Sequence, residues 1–279
     1  MFDDEIIAFI GPGIMAEAMI SRLISNQVAP SGSIRASGPR PNRMEQLAET
    51  YRIATFTDNV EAIKGADIVV LAVKPQSLDK VLGELNGVIR PDALLLSIIA
   101  GASISKISRG ADHSVVVRSM PNTPAQIGEG ITVWTASPDV TENQRQLARL
   151  ILSAFGEEIF MEEETYLDMA TALSGTGPAY VFLFMEAMVD AGVHLGFPRR
   201  IAEQLVSRTV RGSVDYYLDS PMHMTRLRNQ VTSPGGTTAT ALYYLEKAGF
   251  RTALSRAIWA AFERSRELGA DPEAHAPGE

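Results

Sequence analysis

The feature that most limits what this chain can fold into is a series of short, nearly unbroken apolar runs spaced by helical stretches through its first half. Ile6–Ile10, Ser33–Ser37, Ile68–Val73, Ala93–Ala100 and Ser114–Arg118 read as strands. Ile14 to about Asn26, Pro41–Tyr51 and Pro75–Leu85 read as helices. Pro41 stands in a first turn, where a missing N–H costs nothing. Strands that are apolar on both faces and alternate with helices belong to a parallel sheet covered on both sides. Thr132–Trp134 adds a strand and Thr141–Ala154 a helix with Thr141 as N-cap. After Glu162–Glu164 the alternation stops. Asp168–Leu173, Ala179–Leu195, Arg199–Leu218, Thr237–Lys247 and Thr252–Leu268 all carry helical periodicity. The 279 residues therefore divide into an α/β domain, 1–163, and an all-α domain, 164–279.

Composition removes several function classes. The net charge of −8 disfavours nucleic acid, whose binding rests on neutralising phosphates. A small anion needs only a local positive pocket and stays open. No cysteine is present, which excludes disulfides, thiolate metal sites and a cysteine nucleophile. His113, His194, His223 and His275 are scattered without ligand spacing, so no metal site is expected. His113 and His275 read as solvated, and His194 as a capping or interface residue. The acidic N-terminus lacks the basic start of a signal peptide. Pro178–Phe197 is apolar but interrupted by Glu186, Asp190 and His194, short of a clean membrane span. It reads as a buried helix of a soluble, cytoplasmic protein without a membrane partner.

Strand Ala8–Ile10 runs into Gly11-Pro12-Gly13-Ile14-Met15-Ala16 and then a helix. This is the GxGxxA turn of Rossmann-type dinucleotide binding. Gly11 permits the tight turn, Gly13 lets pyrophosphate approach the helix N-terminus, and Ala16 keeps that helix near the sheet. An acid after the second strand would bind a ribose 2′-OH and repel a 2′-phosphate. Here the segment is Ser37-Gly38-Pro39-Arg40-Pro41-Asn42-Arg43, with no acid. Ser37 can donate a hydrogen bond, and Arg40 or Arg43 can pair with phosphate. NADPH is the expected cofactor, with NADH as the second option.

Five segments, AFIGPGIMAEAM, DNVEAIKGADIVVLAVKPQ, VVRSMPNTPAQIGEGITV, TALSGTGPAYVFLFMEAMVDAGVHLGFPR and VTSPGGTTATALYYLEKAGFRTAL, follow one another as in pyrroline-5-carboxylate reductases. The resemblance covers Ile6 to about Leu268, and its most specific parts are SGTGPAYVF and SPGGTT. It implies reduction of the C=N bond of L-1-pyrroline-5-carboxylate to L-proline by NADPH or NADH. It also implies that the helical domain serves dimerisation, that active sites lie at the dimer interface, and that dimers can build decamers. Ile14 departs from the family's GxGNM turn, which puts the phosphate-loop contacts in question. By the same resemblance Asn59 contacts the cofactor ribose, and Ser174 and Thr176 lie near the substrate.

The residues themselves add chemistry. Thr232–Thr238 precedes a helix, and exposed N–H groups beside Gly235 and Gly236 form an anion site. Ser233, Thr237 and Thr238 add hydroxyl donors. The resemblance gives this loop the substrate carboxylate and places Thr238 at the imine nitrogen. A threonine is a poor acid, so Thr238 is expected to orient the substrate, with positioning supplying most of the rate. An ordinary capping turn remains the plain alternative. Ala72-Val73-Lys74-Pro75 ends a buried strand at its carboxyl side, where α/β sheets bind ligands. Lys74 is a candidate catalytic or cofactor contact, or else a structural lysine paired with an acid. Pro12, Ile14, Met15 and Asn122 complete the expected cofactor contacts; Pro121 and Pro124 stiffen the loop that carries Asn122. Ser174–Pro178 is expected to break two helices. The face Tyr180–Met188 reads as core or dimer interface.

Two other activities share this pattern. Reductases of pyrroline-2-carboxylate or piperideine-2-carboxylate need the same carboxylate and imine contacts, because one methylene changes binding by only about 1–3 kcal/mol. A non-catalytic NADP(H) sensor would not need the SPGGTT loop. A β-hydroxyacid dehydrogenase would need a lysine in the first long helix of the second domain, and Asp168–Leu195 contains none.

Overall fold

The computed structural model describes Phe2 and residues 5–269. In chain order its elements are β1 Ile7–Ile10, α1 Ile14–Ser25, β2 Ile34–Ser37, α2 Pro41–Tyr51, β3 Ala54–Phe56, α3 Asn59–Ile63, β4 Ile68–Leu71, α4 Leu78–Leu85, β5 Leu94–Ser97 and α5 Ile104–Ala111. They continue with β6 Val116–Met120, β7 Gly130–Ala136, α6 Glu142–Ser153, β8 Gly156–Phe160 and α7 Thr165–Ala170. The remainder is helical: α8 Gly177–His194, α9 Arg199–Asp219, α10 Met224–Gln230, α11 Thr237–Lys247 and α12 Phe250–Gly269. By internal contacts the chain forms two compact units. One runs through Thr176 and takes back the chain from Ala261; the other is Gly177–Ala260.

The first unit is a Rossmann-type sheet in the order β3-β2-β1-β4-β5-β6-β7-β8. The expected parallel sheet needs one correction: β7 runs antiparallel to β6, and β8 follows β7 in parallel. Strand order reverses about β1, which pairs with both β2 and β4. That reversal opens a crevice at the carboxyl ends of the strands. Alternate residues feed opposite faces, so Phe9 and Val70 join one core with Leu23, Trp134 and Phe155. Ile10 and Leu71 join the other with Leu82, Leu85 and Ile107. Strands β3 and β8 escaped the sequence reading because they are short edge segments; β8 alternates half-buried and exposed residues instead of forming an apolar run.

Local signals explain several helix starts. Thr141 caps α6 in a capping box with Gln144, and Asp58 caps α3 through its carboxylate. His113 is a correction: it is buried, not solvated, with Nε2 at 2.7 Å from the Ala93 carbonyl. His275 lies outside the described residues. The expected break at Ser174–Pro178 is narrower in the structure: Thr171–Gly175 forms a π-turn, Thr176 alone is non-helical, and helix resumes at Gly177. Gly175 makes room for β6, since a Cβ there would stand 2.5 Å from Met120 Cε. Gly177 has open space around it within the single chain.

The second unit buries very little by itself. Val189, Ala202 and Val206 form its small core, where Gly192 lets α8 approach Ala202. The expectation of a buried helix fails for the single chain: on α8 Phe182 and Leu183 are 64% and 67% exposed. Trp259 on α12 is equally open. Large apolar side chains left this exposed are, where they gather into a patch, the mark of an association face. By length and composition Thr165–His194 also passes the test for a bilayer-crossing helix, which the sequence reading did not expect. Asp190, inside that run, pairs in the open with Arg199 at 2.8 Å.

Candidate functional site

At the crevice beside β1, the Gly11 N–H donates to the Ser37 carbonyl at 2.9 Å, and the Ala72 N–H donates to Ile10 at 2.9 Å. These bonds tie the ends of β1, β2 and β4 around the glycine turn. Gly11 has φ +84°, and a Cβ would stand 2.9 Å from Val73 Cα, so only glycine fits there. Gly13 is different. Its nearest neighbour to a Cβ is 3.9 Å away, so that space is open. Gly13 caps α1 without a side-chain hydrogen bond, leaving the first-turn N–H groups facing outward. Pro12 is buried beneath the turn and Met15 packs onto the core. Ile14 is 70% exposed, and neither it nor Met15 is among the residues that line the cleft.

The cleft has a volume of about 630 Å³ and includes Gly11, Gly13, Arg40, Asn59, Val73 and Lys74 in its walls. Ala72 lines it as well; Pro75 follows as the first residue of a short 3₁₀ turn. Lys74 is exposed and has no acid partner among the described residues, against the structural-lysine alternative. The Arg40 guanidinium is likewise without a hydrogen bond or ion pair among the described residues, whereas that of Arg43 is committed. Arg43 pairs with Glu17 and donates to Gln46 at 2.8 Å. Tyr51 also donates to Glu17 at 3.2 Å. Burial, then the Glu17 charge, raises the Tyr51 phenol above its ordinary pKa. Of the two arginines, Arg40 is the one left for a phosphate.

Ser37 does not line the cleft as a free donor. It is fully buried, and its hydroxyl donates to Asn59 Oδ1 at 2.6 Å. Asn59 Nδ2 in turn donates to Glu84 at 2.7 Å. Glu84 was invisible to the sequence reading, being 25 residues from Asn59 and on a different helix. Asn122 is buried and accepts from the Ile131 N–H at 3.0 Å, so its visible work is to hold the start of β7. Ser174 and Thr176 spend their hydroxyls on the helix, donating to the Ala170 and Thr171 carbonyls at 3.0 Å and 2.8 Å.

In the second unit Gly235 has φ +72°, and Gly236 caps α11 without a side-chain hydrogen bond. The flanking hydroxyls are spent on the backbone: Thr232 donates to Arg228 at 2.7 Å and Thr240 to Gly236 at 3.3 Å. The hydroxyls of Ser233, Thr237 and Thr238 make no hydrogen bond among the described residues, although the Ser233 carbonyl accepts the Gly236 N–H at 3.1 Å. Gly236 is itself the N-cap, so none of the three hydroxyls is used as a cap. A helix start with three unspent hydroxyls beside it is a donor set, without charge, of the kind an anion can use.

A buried ionic cluster also went unseen. Arg118 on β6, 4% exposed, pairs with Glu164 at 2.9 Å and Asp168 at 2.8 Å. Glu164 also accepts from the Ile104 N–H at 2.7 Å, and Asp168 from the Ser265 hydroxyl at 2.8 Å.

Comparison with known proteins matches residues 164–268 to the pyrroline-5-carboxylate reductase dimerisation family. Residues 6–101 match the family described as NADP oxidoreductase coenzyme F420-dependent. A pyrroline-5-carboxylate reductase of Synechocystis is 41% identical over 94% of this chain and 98% of its own length. That of Escherichia coli is 37% identical over 94% and 97%. The crystal structure of Plasmodium falciparum pyrroline carboxylate reductase with NADP bound superposes with a TM-score of 0.89 at 31% identity, covering 97% of this chain and all of that one.

Proposed function

The chain belongs to the pyrroline-5-carboxylate reductase family, and on that footing we propose how its residues carry the reaction. The activity is reduction of the C=N bond of L-1-pyrroline-5-carboxylate to L-proline with NADPH; NADH is the lesser alternative. The observation that carries the assignment of the substrate site is the group of three unspent hydroxyls at the glycine-opened start of α11.

The crevice residues fit a dinucleotide. Gly11 makes the turn, Gly13 leaves the space a side chain would fill, and the open N–H groups of Ile14 and Met15 face the pyrophosphate. Pro12 holds the turn from beneath. Arg40 pairs with the 2′-phosphate, and Asn59 meets the ribose. Ser37 acts through Asn59. Ala72, Val73, Lys74 and Pro75 form the wall at the end of β4, and the Lys74 ammonium adds positive charge near the reacting groups. Asn122 shapes the far end. When bound, NADPH supplies the hydride for the imine carbon. Ser233, Gly235 and Thr237 bind the substrate carboxylate through N–H and O–H donors, and Gly236, whose own N–H is spent on the Ser233 carbonyl, leaves it the room a side chain would fill. Thr238 hydrogen-bonds the imine nitrogen and orients it as it takes up a proton. Ser174 and Thr176 border the substrate by way of the π-turn. No metal takes part.

The test is NADPH oxidation with pyrroline-5-carboxylate beside pyrroline-2-carboxylate and piperideine-2-carboxylate. Turnover of the first is expected. Thr238→Ala should lower kcat by roughly one to two orders of magnitude, with NADPH binding unchanged. Undiminished turnover in that variant removes Thr238 from the site. Arg40→Ala should raise the KM for NADPH more than for NADH; an equal rise in both would take Arg40 off the 2′-phosphate.

Self-association belongs to the same reading, with α8 and α12 supplying the apolar face of a homodimer and dimers assembling into a decamer. A cytoplasmic setting, without nucleic-acid or membrane partners, completes it. The division of labour follows the sequence boundary: nucleotide binding through residue 163, dimerisation and substrate binding from residue 164.

A further inference from the structure

We propose that Glu84 is a positioning residue for the cofactor cleft, acting through Asn59. The inference rests on the reading of this cleft as the dinucleotide site. Asn59 sits between two partners, with Oδ1 at 2.6 Å from the Ser37 hydroxyl and Nδ2 at 2.7 Å from Glu84. An amide side chain can be turned end for end with little change of shape, so its orientation is decided by what its neighbours can accept or donate. Ser37 cannot decide it. A hydroxyl donates or accepts equally well, and this one is fully buried with no other side-chain partner among the described residues.

Glu84 does decide it. An ionised carboxylate only accepts. It takes an N–H from Asn59, which turns Oδ1 toward Ser37 and obliges Ser37 to donate. The chain therefore has one direction, from hydroxyl to amide to carboxylate. Asn59 keeps its second N–H for the cleft, where both Asn59 and Glu84 form part of the wall. That N–H suits an acceptor oxygen of a ribose or its phosphate. A flipped amide would offer that oxygen another oxygen.

Two other features keep the carboxylate in place. Lys80 stands one helical turn away with its Nζ at 3.7 Å from Glu84 Oε1, the oxygen that does not meet Asn59. Glu84 is also set one residue before Leu85, which is fully buried in the core, so α4 fixes where the carboxylate begins.

The variants are Glu84→Gln, which keeps length but lets the partner donate or accept, and Glu84→Asp, which keeps charge but shortens the reach. Each is tested alone and combined with Asn59→Ala. The readouts are the Kd for NADPH and for NADH by titration calorimetry on the full chain, with the melting temperature as a check of folding. Each Glu84 variant should weaken both cofactors by about fivefold, the cost of one misdirected hydrogen bond. In the Asn59→Ala background the same changes should do nothing more, since an effect carried by Asn59 cannot survive its loss.

Weakening that persists without Asn59 overturns the proposal, as does unchanged binding in both variants. A gain for NADPH alone in Glu84→Gln also overturns it, because Glu84 would then act by charge on the 2′-phosphate. If Asn59→Ala weakens binding and the Glu84 variants do not, the cleft assignment stands and only this inference falls. If the unaltered protein binds neither cofactor, the cleft assignment itself falls.

Discussion

Gly11→Ala should lose cofactor binding by two orders of magnitude or more and also lower stability, whereas Gly13→Ala should lose binding alone. The two glycines are two residues apart, yet the structure gives them different constraints. Gly11 has φ +84°, a conformation costing an alanine about 1–2 kcal/mol. Its new Cβ would also stand 2.9 Å from Val73 Cα and 3.0 Å from Val73 N. Those are backbone atoms at the end of β4, tied to β1 by the Ala72–Ile10 hydrogen bond, and they cannot swing aside as a side-chain tip can. The turn must open, and the α1 N–H groups move with it. Gly13 has φ −79°, which any residue adopts, and a Cβ meets nothing closer than 3.9 Å. Its substitution leaves the fold intact and fills only the space proposed for pyrophosphate. Melting curves and NADPH titrations separate the cases. Full NADPH affinity in Gly13→Ala would show that the phosphates do not approach there.

Arg118→Ala should cost about 3–5 kcal/mol, the usual penalty for removing one partner from a buried ionic group. For a protein of this size that lowers the melting temperature by on the order of 10 °C. The reason is the position of the charges. Arg118 is almost wholly enclosed, and it answers two carboxylates that also bind Ile104 and Ser265. Without the guanidinium, Glu164 and Asp168 face each other's charge with only neutral donors left. Gly101, at φ +74°, brings its backbone against the Ser265 carbonyl, 3.0 Å from where a Cβ would be, so the same cluster seats the last turns of α12. Arg264→Ala is the control. Its pair with Glu267 has the same chemistry at 2.7 Å, but both side chains are over 60% exposed. Exposed pairs contribute about 0–1 kcal/mol, so its melting temperature should hardly move. Equal effects from the two arginines would mean that burial does not set the value of the Arg118 cluster.

What the sequence by itself determined was everything that depends on neighbours a few residues apart. The GPGIMA turn follows its strand and opens α1 where its residues say, because φ preference, capping and the first helical turn are local. Thr141 caps α6 for the same reason, and the apolar runs of β1, β4 and β5 are buried throughout. The tertiary structure alone decided the rest. Which way β7 runs depends on pairing with β6, and nothing in Thr132–Trp134 encodes direction. Edge strand β8 is held by its neighbour, not by an apolar run of its own. His113 looked solvated until the Ala93 carbonyl, 20 residues away, was brought to it. Ser37 and Arg43 looked like ligand donors until the fold gave them Asn59 and Glu17 as partners. Glu84 and Arg118 meet their partners across 25 to 50 residues. A hydrogen bond or ion pair forms wherever two complementary groups are brought together, and only the packing of helices on a finished sheet brings these together.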